Sequence, residues 1–187
     1  MISKEIFLVF FCIHFFTINL VADNNITNRE YLPETKEENE LYKIIDKNIF
    51  PTIVADNLDY YKEVHVGWAG IIKGYSPNSG NVSINLLVEH RNFNWIEMVN
   101  NDKILLPISM YGDGEFVAEC YSNNIQDIIS NIHNGKIKYL IVYGTPSGFD
   151  GLTSLDFTVR KNNIHIDADY IRFLDSDLVI EEDCKDE

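Results

Sequence analysis

Val64-His65-Val66-Gly67-Trp68-Ala69-Gly70-Ile71-Ile72-Lys73-Gly74-Tyr75 is the stretch whose reading decides the fold. Its β-branched and aromatic residues favour a pleated, half-buried strand, and its glycines suit a strand that bends sharply to serve both sides of a small barrel. Working outward, further runs separated by Gly, Asn, Pro and Ser read as strands: Val82 to Trp95, Glu115 to Tyr121, Lys138 to Gly144, Leu152 to Arg160 and Ile164 to Phe173. Between the third and fourth runs, Ile125, Ile128, Ile129 and Ile132 recur at helical intervals, and Asn134-Gly135 supplies the stop. Lys161-Asn162-Asn163 reads as the tight turn of a closing hairpin. Three strands, a short helix and then further strands is the order of an OB-type barrel. The expected class is therefore mainly β: a small OB-like barrel, closed or partly open, over residues 63–174, with an N-terminal helix and one short inter-strand helix.

Ahead of the barrel, residues 23–62 read as a polar leader followed by a helix. Thr35-Lys36-Glu37-Glu38 is a capping-box pattern, in which the Thr35 hydroxyl accepts from the third helical amide and Glu38 bonds back. Leu41, Ile44, Ile45 and Ile49 then recur with helical spacing, and Pro51, which lacks an amide donor, is expected to end a helix of about 14 residues. Residues 175–187 hold seven carboxylates and one lysine and read as a solvated acidic tail.

The first 22 residues differ from the rest. Between Ile6 and Val21 there is no charged side chain and there are five Phe, with Lys4 ahead of them. That is the order of a secretory signal, and Leu20-Val21-Ala22 offers a small residue for cleavage before Asp23. These sixteen residues, interrupted by His14 and Asn19, fall short of the ~20 needed to cross a bilayer core. Cys12 follows Val9-Phe10-Phe11, whereas a bacterial lipoprotein signal has a small residue just before its cysteine. Export to the periplasm, the outer membrane or the medium is the expectation.

The chain has 187 residues, 15 Lys plus Arg and 29 Asp plus Glu, a formal net charge of −14. Removing residues 1–22 takes one Lys and one Glu, so the remainder keeps the same balance. At 45% hydrophobic content one domain can bury a sizeable core. Sequence-independent affinity for nucleic acid comes from neutralising phosphates with Lys and Arg, so this composition argues against a nucleic-acid partner. Cys120 and Cys184 remain after cleavage; they could pair, or Cys120 could be a buried free thiol. Asn25-Ile26-Thr27 and Asn81-Val82-Ser83 match the N-glycosylation acceptor.

The run Val66-Gly67-Trp68-Ala69-Gly70-Ile71-Ile72 resembles the start of the Slp family of bacterial outer-membrane proteins. Gly112-Asp113-Gly114-Glu115-Phe116-Val117-Ala118 and Ile141-Val142-Tyr143-Gly144 are similar to later segments of that family, and Tyr170 falls where a late aromatic strand is expected. The resemblance spans residues 64–173 and implies a β-rich domain with an OB-like core and outer-membrane or envelope components as partners. Members are typically lipoproteins, a feature the Cys12 context does not match.

Candidate chemistry is sparse. His165-x-Asp167-x-Asp169 puts three potential ligands for a hard divalent ion on one face of a strand. They would lie about 7 Å apart, and the same alternation fits the solvent side of an amphipathic strand. Glu89-His90-Arg91, with Asp113 and Glu115 on a glycine turn, supplies carboxylates and an imidazole for a general acid and base. No nucleophile elbow, zinc-protease helix motif or phosphate-cradling loop is present in the sequence. Trp68, Trp95 and Tyr143 are the candidate ligand-stacking aromatics, the remaining possibilities being Tyr60, Tyr61, Phe93 and Tyr121.

These readings lead to an exported, non-enzymatic envelope protein of Slp-like type with a structural or binding role and no cofactor. Two alternatives are a periplasmic or secreted barrel module for a small ligand or cation, neutral or positive by charge, and a carboxylate-based hydrolase.

Overall fold

The computed structural model describes residues 26–78, 82–100, 102–150 and 163–183. In chain order the strands are β1 (Thr27–Glu30), β2 (Val66–Pro77), β3 (Ser83–Arg91), β4 (Ile96–Asn100), β5 (Lys103–Ser109), β6 (Glu115–Tyr121), β7 (Ile137–Asp150), β8 (Asn163–Asp175) and β9 (Val179–Glu182). The helices are α1 (Lys36–Tyr42), α2 (Pro51–Asp56), α3 (Leu58–Tyr61) and α4 (Ile125–His133). The expected signal region, the Leu152-to-Arg160 run and Cys184 lie outside the described residues.

Strands β2, β3, β6, β8 and β7 close a barrel in that order. All neighbours run antiparallel except β6 and β8, whose parallel pairing of Phe116 with Ile164 closes the wall. With α4 between the third and fourth barrel strands, this is an OB-type barrel, as the strand order predicts. β2 bends at a register shift between Ile72 and Gly74, one residue set against the pairing rhythm. α4 forms where isoleucine spacing requires it, and Gly135 ends it at φ 75°.

Both faces of the β2–β7 wall are buried, and this is the feature the sequence leaves unread. Val66, Trp68, Leu140 and Val142 fill the barrel with Ile84, Leu86, Phe116, Ile164 and Ile166. Ala69, Ile141 and Tyr143, with Tyr139 and Leu174, instead form a second core with Tyr31, Phe93, Trp95, Leu106 and Ile108. That core is capped by a four-stranded sheet of order β1-β4-β5-β9. The expected acidic tail therefore includes a strand: β9 runs parallel to β5, pairing Leu106 with Val179 and Ser109 with Glu182.

The N-terminal helix is shorter than its periodicity suggests. α1 stops at Tyr42, after which the Asp46 amide donates to the His65 carbonyl (2.9 Å) and the Asp46 carboxylate accepts from the Asn48 amide (2.9 Å). An Asx turn and a bridge to the start of β2 thus replace the next helical turn. Ile45 joins the second core and Ile49 the barrel core. Pro51 opens α2 at its first turn instead of ending α1, since the missing amide costs nothing there.

Candidate functional site

Where α1, the turn after it and the segment between β3 and β4 meet, a cavity of about 550 Å³ opens beside the second core. Tyr42, Phe50, Phe93 and Trp95 supply its aromatic wall. Asn48, Asn92 and Asn94 add amides, and Glu30 and Lys47 add one charge of each sign. Trp95 stands 5.1 Å from Phe93, 5.4 Å from Tyr42 and 5.6 Å from Tyr31, ring centre to ring centre. The Lys47 ammonium lies 3.7 Å from the Tyr42 ring centre and 5.4 Å from that of Trp95. Those two rings therefore hold a cation by their π faces.

Trp95 has φ 55°, a left-handed conformation that a bulky residue seldom adopts. Its carbonyl accepts from the Tyr31 amide at 2.9 Å, tying β1's exit to this point. Gly67 makes room for the ring: a Cβ there would stand 2.9 Å from Trp95 Cη2 and would clash with Ile45 Cδ1.

Beneath the cavity's α1 side lies a buried polar cluster. Glu38, fully buried, accepts from the Tyr143 hydroxyl at 2.9 Å and from the Tyr31 hydroxyl, while its other oxygen accepts from the Glu34 amide at 2.7 Å. Arg172 donates to the Tyr31 hydroxyl at 2.6 Å and to Glu34 at 2.6 Å. Burial pushes both phenols well above their ordinary range, keeping them protonated as donors. The Thr35 hydroxyl accepts from the Glu38 amide at 3.0 Å as the capping pattern requires, but the Glu38 carboxylate turns inward as a clasp on β7.

Of the three aromatics singled out for ligand stacking, the structure brings only Trp95 to a cavity. Trp68 is corrected to a core residue: its indole donates to the Ile49 carbonyl at 2.6 Å and its ring meets Phe116 edge-on inside the barrel. Tyr143 is corrected likewise, because its ring is fully buried and its hydroxyl is committed to Glu38. Tyr42, Lys47, Asn48, Phe50, Asn92 and Asn94 were not among the candidates. The alternation Asn92-Phe93-Asn94-Trp95 is the signal that would have found part of the site.

His165, Asp167 and Asp169 do not converge. Ser147 links the first two, its hydroxyl 3.0 Å from His165 Nδ1 and donating to Asp167 at 2.9 Å. Asp169 faces His65 at 3.5 Å instead. His165 Nδ1 and Asp167 come within 3.4 Å of each other, but Asp169 stays apart from them, and among the described residues no group of three or more His, Cys, Asp or Glu side chains could hold a metal ion. On the same outer surface, Glu119 accepts from Ser83 (2.6 Å) and Asn78 (2.7 Å). Ser83's hydroxyl is the chief cause that holds its carboxyl below the usual carboxylate range.

The other acid–base candidates also separate. Glu89 pairs outside with Lys73 and Arg91, each at 2.8 Å. His90 points into the barrel end, where its Nδ1 accepts from the Asp113 amide at 3.0 Å and burial lowers its pKa to about 4. The Asp113 carboxylate is bound by the Thr52 hydroxyl. Cys120 is a buried free thiol, its pKa raised by burial.

No protein-family model matches the chain, and no curated protein matches it. Solved structures similar to it include two crystal structures. The small single-stranded DNA-binding protein of Streptomyces coelicolor has a TM-score of 0.31 at 12% identity, over 59% of this chain and 92% of that one. The small single-stranded DNA binding protein of Mycoplasma pneumoniae has a TM-score of 0.30 at 12% identity, over 60% of this chain and 92% of that one. The exclusion of nucleic acid drawn from net charge is corrected: both of these structures are of single-stranded DNA-binding proteins.

Proposed function

We propose that this chain is an exported, non-enzymatic cell-envelope protein of Slp-like type, a binding module that takes a small ligand in the Trp95 cavity. Trp95 is the observation that carries the reading. A left-handed backbone at a bulky residue costs on the order of 1–3 kcal/mol and persists where the surroundings impose it, commonly at ligand clamps. Here it turns an indole toward a cavity of about 550 Å³, within the range of small-molecule sites. The uncharged run from Ile6 to Val21 behind Lys4 supports export.

Two measurements test the two halves. N-terminal sequencing of the chain expressed in a bacterium is expected to begin at Asp23; a start at Met1 contradicts export. A thermal-shift panel of neutral and cationic small molecules on the processed chain is expected to contain one that raises Tm saturably, with the rise reduced by Lys47→Ala. A flat response across the panel contradicts the binding module.

A further inference from the structure

We infer that the Trp95 cavity takes a neutral saccharide, an assignment that rests on the binding reading above and names its ligand class. Three observations narrow the chemistry. Glu30 and Lys47 are the cavity's charged lining residues and cancel in formal charge, so nothing there favours an ionic ligand of either sign. The Lys47 ammonium already lies over the Tyr42 and Trp95 faces, and a ligand cation seeking those faces would meet a like charge. A sugar hydroxyl can instead accept from that ammonium.

The ring geometry separates saccharides from flat ligands. Tyr42 and Trp95 are inclined by 49°, and Phe93 and Trp95 by 48°. Stacking a flat aromatic ligand on two rings at once needs near-parallel planes, which these pairs do not offer. A pyranose has a rounded CH face that rests on one ring while its edge meets the next. The remaining lining groups suit its hydroxyls: Asn48 and Asn94, both at the exposed rim, each present a carbonyl acceptor and an amide donor on one side chain. A hydroxyl also gives and accepts, so each amide can satisfy two adjacent hydroxyls. Asn92 and Phe93 continue the same alternation of amide and ring into the cavity.

The test uses saturation-transfer NMR and titration of the processed chain with chitobiose, cellobiose and maltose, beside choline and a thymidine oligonucleotide. At least one disaccharide is expected to receive saturation at its ring CH protons, with affinity falling about tenfold or more in the double variant Asn48→Ala, Asn94→Ala. Both positions are exposed, so the variant keeps the cores intact, and Lys47→Gln serves as a second probe that removes the charge alone. Unchanged disaccharide affinity in both variants overturns the assignment. Binding of only choline or the oligonucleotide, with Trp95 perturbed, overturns the saccharide class and leaves the cavity as a ligand site. Silence from every probe overturns both.

Discussion

Trp95 and Asp102 both have positive φ, at 55° and 67°, for different reasons. Asp102 sits in the tight turn between β4 and β5, where a short polar side chain tolerates the left-handed region. Trp95 is held there by packing, and Gly67 is the residue that permits it. Gly67→Ala is expected to lower stability by about 1–3 kcal/mol, because its Cβ would press on both Trp95 and Ile45. Urea unfolding measures this, and an unchanged midpoint would count against the packing described. His90 sets a pH dependence of its own. Its folded pKa, about 4, lies below the ordinary 6.5, so the unfolded chain binds the extra proton. The stability it contributes is complete above pH 6.5 and is lost as pH falls toward 4, about 3 kcal/mol in all. His90→Asn, which keeps an acceptor for the Asp113 amide, is expected to flatten that window in urea midpoints taken between pH 7 and 4.5. Neither Trp95 nor His90 could be sorted from its neighbours by residue type: Trp68, Trp95 and Tyr143 carry the same stacking chemistry, yet Trp68 enters the barrel core, and of the two that share the second core Trp95 reaches the cavity while Tyr143 is committed to Glu38.

At the level of elements, the N-terminal segment is fastened by Glu38 more than by its helix. Removing one member of a buried, charge-assisted set leaves its partners unpaired. Glu38→Ala is therefore expected to cost about 3–5 kcal/mol, whereas Glu34→Ala, at the exposed end of the Arg172 pair, should cost less than about 1 kcal/mol. Equal costs, read from denaturant midpoints, would show that the clasp is not where the fastening lies. The sequence made α4 legible because it carries one apolar stripe and a clear stop signal, and β6 because its apolar run is bounded by turn residues. It misled on α1 and Pro51, where a helical apolar rhythm continues although the residues feed two different cores. It also hid β9, whose carboxylates at Glu181 and Glu182 read as solvent-loving even though Lys138 and the Met110 amide engage them or their backbone.

For the molecule as a whole, the decisive feature is that the β2–β7 wall has no solvent side. A wall buried on both faces erases the period-two pattern, so the barrel order could be read while the second sheet could not. The same sharing couples the two cores. Single-tryptophan variants, Trp68→Phe and Trp95→Phe, are expected to report coincident urea transitions from the remaining indole in each, after allowance for the variants' own stabilities. Loss of the Trp95 signal well before that of Trp68 would mean that the second sheet unfolds independently of the barrel. The cavity also belongs at this scale, because α1, the turn after it and the segment between β3 and β4 all contribute to its lining.

The two tryptophans allow a direct reading of where a ligand sits. In a ¹H–¹⁵N correlation spectrum each gives one indole signal: Trp68, bonded to the Ile49 carbonyl inside the barrel, and Trp95, at the cavity. Titration with the disaccharide that saturation transfer selects is predicted to move the Trp95 signal progressively and leave that of Trp68 in place. Movement of Trp68 alone, or shifts confined to the outer face of β3, β6 and β8 with both indoles still, would contradict the account.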